Sequence, residues 1–172
     1  MNIDEKSLRD GISKNNADAQ YVEKFTNEIV DSCCDKLDGY IDYVANRLND
    51  ENYNLTNDQL DDIVMTIPTL LYFVGTQQEK LGIKRDVSKQ TRLISFNEAF
   101  SNAEGIQALK KCEAENKVFY ESMVLLIYEN AYNIIKAKVD NATEVLQSAK
   151  KVLTRRMTES ELTRSTPNKD RW

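Results

Sequence analysis

Residues Lys117–Met157 read KVFYESMVLLIYENAYNIIKAKVDNATEVLQSAKKVLTRRM. Within them Tyr128, Ala131, Ile135, Val139, Ala142, Leu146, Ala149, Leu153 and Met157 follow one another at intervals of three or four. That spacing keeps one stripe of an α-helix apolar. The freedom from helix breakers reaches further, with no Gly or Pro from Ile106 to Thr166. The pattern predicts a long helix, strongest from Glu115 to Met157 and about 65 Å long at 1.5 Å per residue. Such a rod must lie against its own chain or against a copy of itself.

Upstream, Ser101-Asn102-Ala103-Glu104-Gly105 predicts a turn. A second long helix is expected from Pro68 to Ser101, with Pro68 in its first turn, where a missing N–H costs nothing. Leu70, Phe73, Val74, Leu81, Val87, Leu93, Ile94 and Phe96 supply its apolar faces. Thr56-Asn57-Asp58-Gln59 fits a capping box that opens a short helix to about Thr66. Another helix is expected from Asp18 to Asn49, with Tyr21, Phe25, Ile29, Cys33, Leu37, Tyr40, Ile41, Val44 and Leu48 as its stripe. Gly39 inside it costs about 1 kcal/mol relative to Ala. The expected fold is all-α: a long antiparallel helical hairpin preceded by an acidic helical region, assembling into an oligomer. Its segments are a flexible N-terminus (1–16), the acidic helical region (17–66), the hairpin (67–157) and a polar, disordered tail (158–172).

Composition agrees. The 172 residues hold only 5 Gly and 2 Pro, too few turn formers for an all-β fold. Residues 1–79 carry 6 Lys/Arg against 16 Asp/Glu, a balance of −10; residues 80–172 carry 17 against 12, a balance of +5. Two oppositely charged halves suggest two different surfaces, or head-to-tail contacts between copies. The polar start MNIDEKSLRD has no apolar signal core, so a cytoplasmic protein is expected. The most apolar run, Ile63–Gly75, is shorter than the roughly 20 residues of a membrane span and contains Pro68.

There is no histidine. Nucleophile systems that use an imidazole base are excluded, as are zinc sites built on His. No phosphate loop, dinucleotide turn or nucleophile elbow occurs. The acidic pairs Asp61-Asp62 and Glu113/Glu115 lie among polar residues and read as solvated faces. Asp58, Asp61 and Asp62 lack the spacing of a calcium loop. The expectation is a protein without catalytic residues, metal or cofactor. Cys33, Cys34 and Cys112 read as small buried thiols.

Cations are the candidate site. Lys80, Lys84, Arg85, Lys89 and Arg92 crowd one helix, and Arg85, Lys89 and Arg92 fall within about 60° at 100° per residue. A phosphate backbone is bound by such a row, and Ser88 and Thr91 could add hydrogen bonds. Lys150, Lys151, Arg155 and Arg156 close the long helix; they also complement its macrodipole. Base stacking would need Phe119, Tyr120, Tyr128 or Tyr132 exposed beside cations. Their place in and after the apolar run Val118–Ile127 predicts core packing instead. Trp172 ends the chain and could anchor a partner.

Two segments together resemble the UvsY-like recombination mediators of phages. They are LLYFVGTQQEKLGIKRDVSKQTRLISF and KVFYESMVLLIYENAYNIIKAKVDNATEVLQSAKKVLTRRM, covering roughly residues 70–157. The resemblance implies a cytoplasmic, all-helical protein that assembles into rings and binds single-stranded DNA. It implies help in loading a RecA-type recombinase where single-strand-binding protein already sits. It places Lys89 and Arg92 where that family has its DNA-contacting cations, with Lys84 and Arg85 about a turn earlier. The acidic N-terminal half departs from that pattern. It suggests a first alternative, a phage-encoded inhibitor of the anti-CRISPR kind. Residues 1–79 would then occupy the cationic groove of a CRISPR nuclease or another host nucleic-acid enzyme. A structural helical scaffold is the second alternative.

Overall fold

The computed structural model describes residues 5–48 and 55–165. Over them the chain is all-α, as expected: α1 (Glu5–Leu48), α2 (Asn57–Asn102), α3 (Gln107–Lys117) and α4 (Phe119–Ser165), with no strand. No described helix is long and apolar enough to cross a membrane.

Local chemistry sets most of the boundaries. The capping box at the start of α2 forms as expected: the Thr56 N–H donates to Gln59 Oε1 at 2.8 Å, and the Gln59 N–H donates to Thr56 Oγ1 at 3.3 Å. The turn after α2 also forms, and Gly105 takes φ +104°, which a side chain would strain.

Four boundaries differ from expectation. First, α1 begins at Glu5 rather than Asp18. Second, α2 does not restart at Pro68 but passes through it. Pro68 is exposed, while Leu60, Ile63, Ile67 and Val74, on a face turned about 80–140° away from it, are buried. That burial, at about 1.5–3 kcal/mol per large side chain, offsets the roughly 3 kcal/mol cost of an interior proline. Third, the rod is interrupted at Val118 (φ −98°, ψ 21°), although no Gly or Pro marks the place. The Val118 side chain is buried there, its N–H reaches the Ala114 carbonyl, and its own carbonyl accepts from the Ser122 N–H and hydroxyl. Fourth, the segment expected as a tail from Thr158 stays helical to Ser165. An Arg155–Glu159 ion pair and a Thr158 hydroxyl bonded to the Thr154 carbonyl span that junction. Trp172 lies outside the described residues.

The chain packs as two compact units, each built from pieces of α1, α2 and α4 rather than from consecutive segments. The first unit combines α1 up to Cys33 with Thr76–Lys136. Its core holds Val22 and Val30 from α1, Leu81 and Ala99 from α2, Ala114 and Val118, and Ile127, Ala131 and Ile135 from α4. Within it α2 and α4 run in opposite directions. Gly82 meets Tyr132, where an added Cβ would stand 3.4 Å from the ring, while ten residues on Arg92 meets Ser122. The second unit combines Cys34–Gly75 with α4 from Ala137. Cys34, Leu37 and Val44 pack there with Leu60, Ile63, Ile67 and Val74, and with Ala142, Leu146 and Ala149.

The α4 stripe is buried or half-buried from Tyr128 to Leu153, as its spacing requires; Met157 is exposed. The α1 stripe is turned by one residue in its first half. Val22, Thr26, Val30 and Cys34 are buried, while Tyr21 is exposed and Phe25, Ile29 and Cys33 are half-buried. The smaller set allows closer helix approach. The bulky Tyr21 and Phe25 rings pair with each other at 4.5 Å. None of the three cysteines is in a disulfide, and Cys112 is exposed rather than buried.

Candidate nucleic-acid interface

The α2 cations divide by the face they occupy. Leu81, Arg85, Ser88, Arg92 and Ala99 recur every three, four or seven residues and point toward the interior of the first unit. Arg85 is half-buried. Its Nε and Nη2 both donate to Asp86 Oδ1, at 2.9 and 2.8 Å, and its guanidinium lies 4.5 Å from the Tyr132 ring centroid. The hydrogen bond to Asp86 holds the Arg85 guanidinium above even its ordinary high pKa. Arg92 donates from Nε to Ser122 Oγ at 2.6 Å and from Nη2 to Glu115 Oε2 at 2.8 Å. These two arginines therefore brace the first unit.

Lys80, Lys84 and Lys89 are exposed and form no ion pair with a described residue. They do not make one row. At about 100° per residue, Lys80 and Lys84 lie about 40° apart, but Lys89 lies about 140° from Lys84, on the other flank of the buried seam. Of the expected stripe Arg85–Lys89–Arg92, only Lys89 is exposed and without an ion pair among the described residues.

The C-terminal cluster divides in the same way, within the second unit. Lys150 and Lys151 are exposed, and exposed Arg155 pairs with Glu159. Half-buried Arg156 donates to the Leu55 carbonyl and, at 3.2 Å, to Asn57 Oδ1. Arg156 thus ties α4 to the start of α2, a structural task beyond macrodipole compensation.

Two features of the first unit were not anticipated. Tyr120 is 78% exposed rather than packed in the core, and neighbouring Phe119 is 40% exposed. Their rings meet edge to face at 5.7 Å. Tyr120 lines a depression of about 220 Å³ with Ser88, Thr91, Glu121 and Val124. Its position at the Val118 break was invisible in the sequence, because the helical period across 118 assigns it to the wrong face. On the α1 side, a cleft of about 780 Å³ is lined by Val22, Met123, Leu126 and Ile134, with Asp18 and Glu23 as its charged residues. Buried Thr26 also lines it, and its hydroxyl has no hydrogen-bond partner among the described residues.

Among the described residues, no group of three or more Cys, Asp or Glu side chains is placed to hold a metal ion. Fold and surface define an all-α protein whose described surface carries lysines, carboxylates, the edge-to-face pairs Tyr72–Phe73 and Phe119–Tyr120, and apolar helix faces. Comparison with protein-family models, with curated proteins and with solved structures yields no match in any of the three.

Proposed function

We propose that this chain is a non-catalytic, self-assembling protein that binds single-stranded DNA. In this reading it acts as a recombination mediator, helping to load a RecA-type recombinase onto DNA held by single-strand-binding protein. The observation that carries the reading is the set of exposed lysines on α2 that pair with no described residue: Lys80, Lys84 and Lys89. Lysines that pair with no described residue are available to phosphate and need break no ion pair among those residues to bind it. The resemblance of residues 70–157 to UvsY-like mediators supports the same assignment.

Self-assembly has separate support. On α2 in the first unit, Ile83, Val87 and Ile94 are more than half exposed and share one side of the helix. A row of large apolar side chains facing water is unfavourable, and a second copy covering it removes that cost. The opposite charges of the two halves of the sequence give copies a reason to pair with each other.

The test is oligo-dT binding across a salt series. The slope of log affinity against log salt should be negative, and Lys80→Ala, Lys84→Ala and Lys89→Ala together should reduce it by about 2, at roughly 0.7 per phosphate neutralised. An unchanged slope in the triple variant contradicts the assignment.

A second reading has its own observation. In the second unit, Asp35 and Asp42 are exposed on α1, seven residues apart and so on one side of the helix. Those carboxylates support protein–protein inhibition of a nucleic-acid enzyme through its cationic groove. Capture of such an enzyme, abolished when Asp35 and Asp42 become amides, would favour it over the mediator reading.

A further inference from the structure

Resting on the single-stranded DNA reading, we propose a one-nucleotide subsite in the first unit. A base stacks on Tyr120, and the adjoining phosphate replaces the Glu115 carboxylate at Arg92.

Tyr120 is 78% exposed, and the depression beside it is about 220 Å³, room for one base. The Ser88 and Thr91 side chains line the same depression; Thr91 already gives its hydroxyl proton to the Val87 carbonyl and keeps acceptor capacity. Arg92 follows Thr91 in sequence. Its partner Ser122 follows Glu121, which lines the depression with Tyr120. Ser88, which lines the depression, lies one turn before Arg92 on the same face of α2, so the guanidinium adjoins the depression without lining it. Glu121 carries negative charge at the depression itself, so the uncharged base enters and the phosphate stays on the Arg92 side.

Glu115 now occupies the phosphate position. Its Oε2 accepts from Arg92 Nη2 at 2.8 Å, and its side chain is 46% exposed, so the pair is a weak surface ion pair. A phosphate oxygen presents the same acceptor to the same donor, while Ser122 continues to hold Nε. The element that carries Glu115 can yield: within α3 only Ala114 is buried, and Gly105 precedes the helix. Glu115 is therefore a built-in competitor that keeps Arg92 paired until nucleic acid arrives.

The experiment compares two fluorescent probes of equal length and charge at low salt: oligo-dT, and the same backbone without bases. Wild type should bind oligo-dT the more tightly. Tyr120→Ala should weaken oligo-dT binding roughly tenfold, down to the level of the base-free probe, while Tyr120→Phe keeps the preference. Glu115→Gln should tighten binding of both probes several-fold. The subsite is overturned if wild type binds both probes equally, if Tyr120→Ala leaves the preference intact or weakens both probes alike, or if Glu115→Gln tightens neither. Wild type that binds neither probe overturns the single-stranded DNA reading, and the subsite with it.

Discussion

Lys138 of α4 and Asp38 of α1 meet at 2.6 Å, Nζ to Oδ2, across one hundred positions of sequence. Both side chains are about one-third exposed (34% and 35%), so water screens the pair only in part. Asp38→Ala should lower stability in urea unfolding by about 1 kcal/mol, and high salt should shrink the difference. A loss that salt does not touch would mean that packing, not charge, holds this contact.

Arg156 gives a sharper contrast. Its bonds to the Leu55 carbonyl and Asn57 Oδ1 join charged donors to acceptors at the start of α2. Arg156→Ala should cost about 1.5–3 kcal/mol of stability, the range for hydrogen bonds to charged groups. It should leave the salt slope of oligo-dT binding unchanged. A flatter slope with undiminished stability would return Arg156 to the DNA-contacting set.

Tyr40 makes the second unit sensitive to alkali. Its phenol donates to Asp62 Oδ2 at 2.8 Å. Burial first, and then that hydrogen bond, push its pKa from 10.0 up to about 12. A raised folded-state pKa means that the unfolded phenol loses its proton first. The stability from this group is therefore complete below pH 10 and is lost as pH rises toward 12. Thermal unfolding across that window should fall more steeply for wild type than for Tyr40→Phe. Parallel curves would remove Tyr40 as a cause.

Core and outer apolar faces should respond differently to truncation. Ile135 is fully buried and Ile83 is 65% exposed. Ile135→Ala should cost about 2–5 kcal/mol. Ile83→Ala should change unfolding by less than about 0.5 kcal/mol at low protein concentration. Ile83→Asp should instead lower the assembled mass. Unaltered assembly in Ile83→Asp would place the subunit contact on another face.

Much of the architecture was legible because strong local signals coincide with burial. The Ala131–Leu153 stripe, the Thr56/Gln59 cap and the Gly105 turn each have a short-range cause. Misreadings arose where tertiary packing overrode local rules. Burial of Ile63, Ile67 and Val74 carries α2 through Pro68, and burial of Val118 breaks a rod that no Gly or Pro interrupts. For the candidate site, helical phase put Arg85, Lys89 and Arg92 on one stripe. Phase alone does not say which way the stripe faces. Apolar residues on both sides of α2, Leu81 inward and Ile83 outward, left that direction undetermined, and the two arginines turned out to face inward.

The light-scattering mass of the pure protein, with and without oligo-dT at low salt, tests self-assembly and DNA binding together. The expected result is a discrete multiple of the 19.8 kDa chain that gains mass when oligo-dT is added. A 19.8 kDa species indifferent to oligo-dT would contradict both.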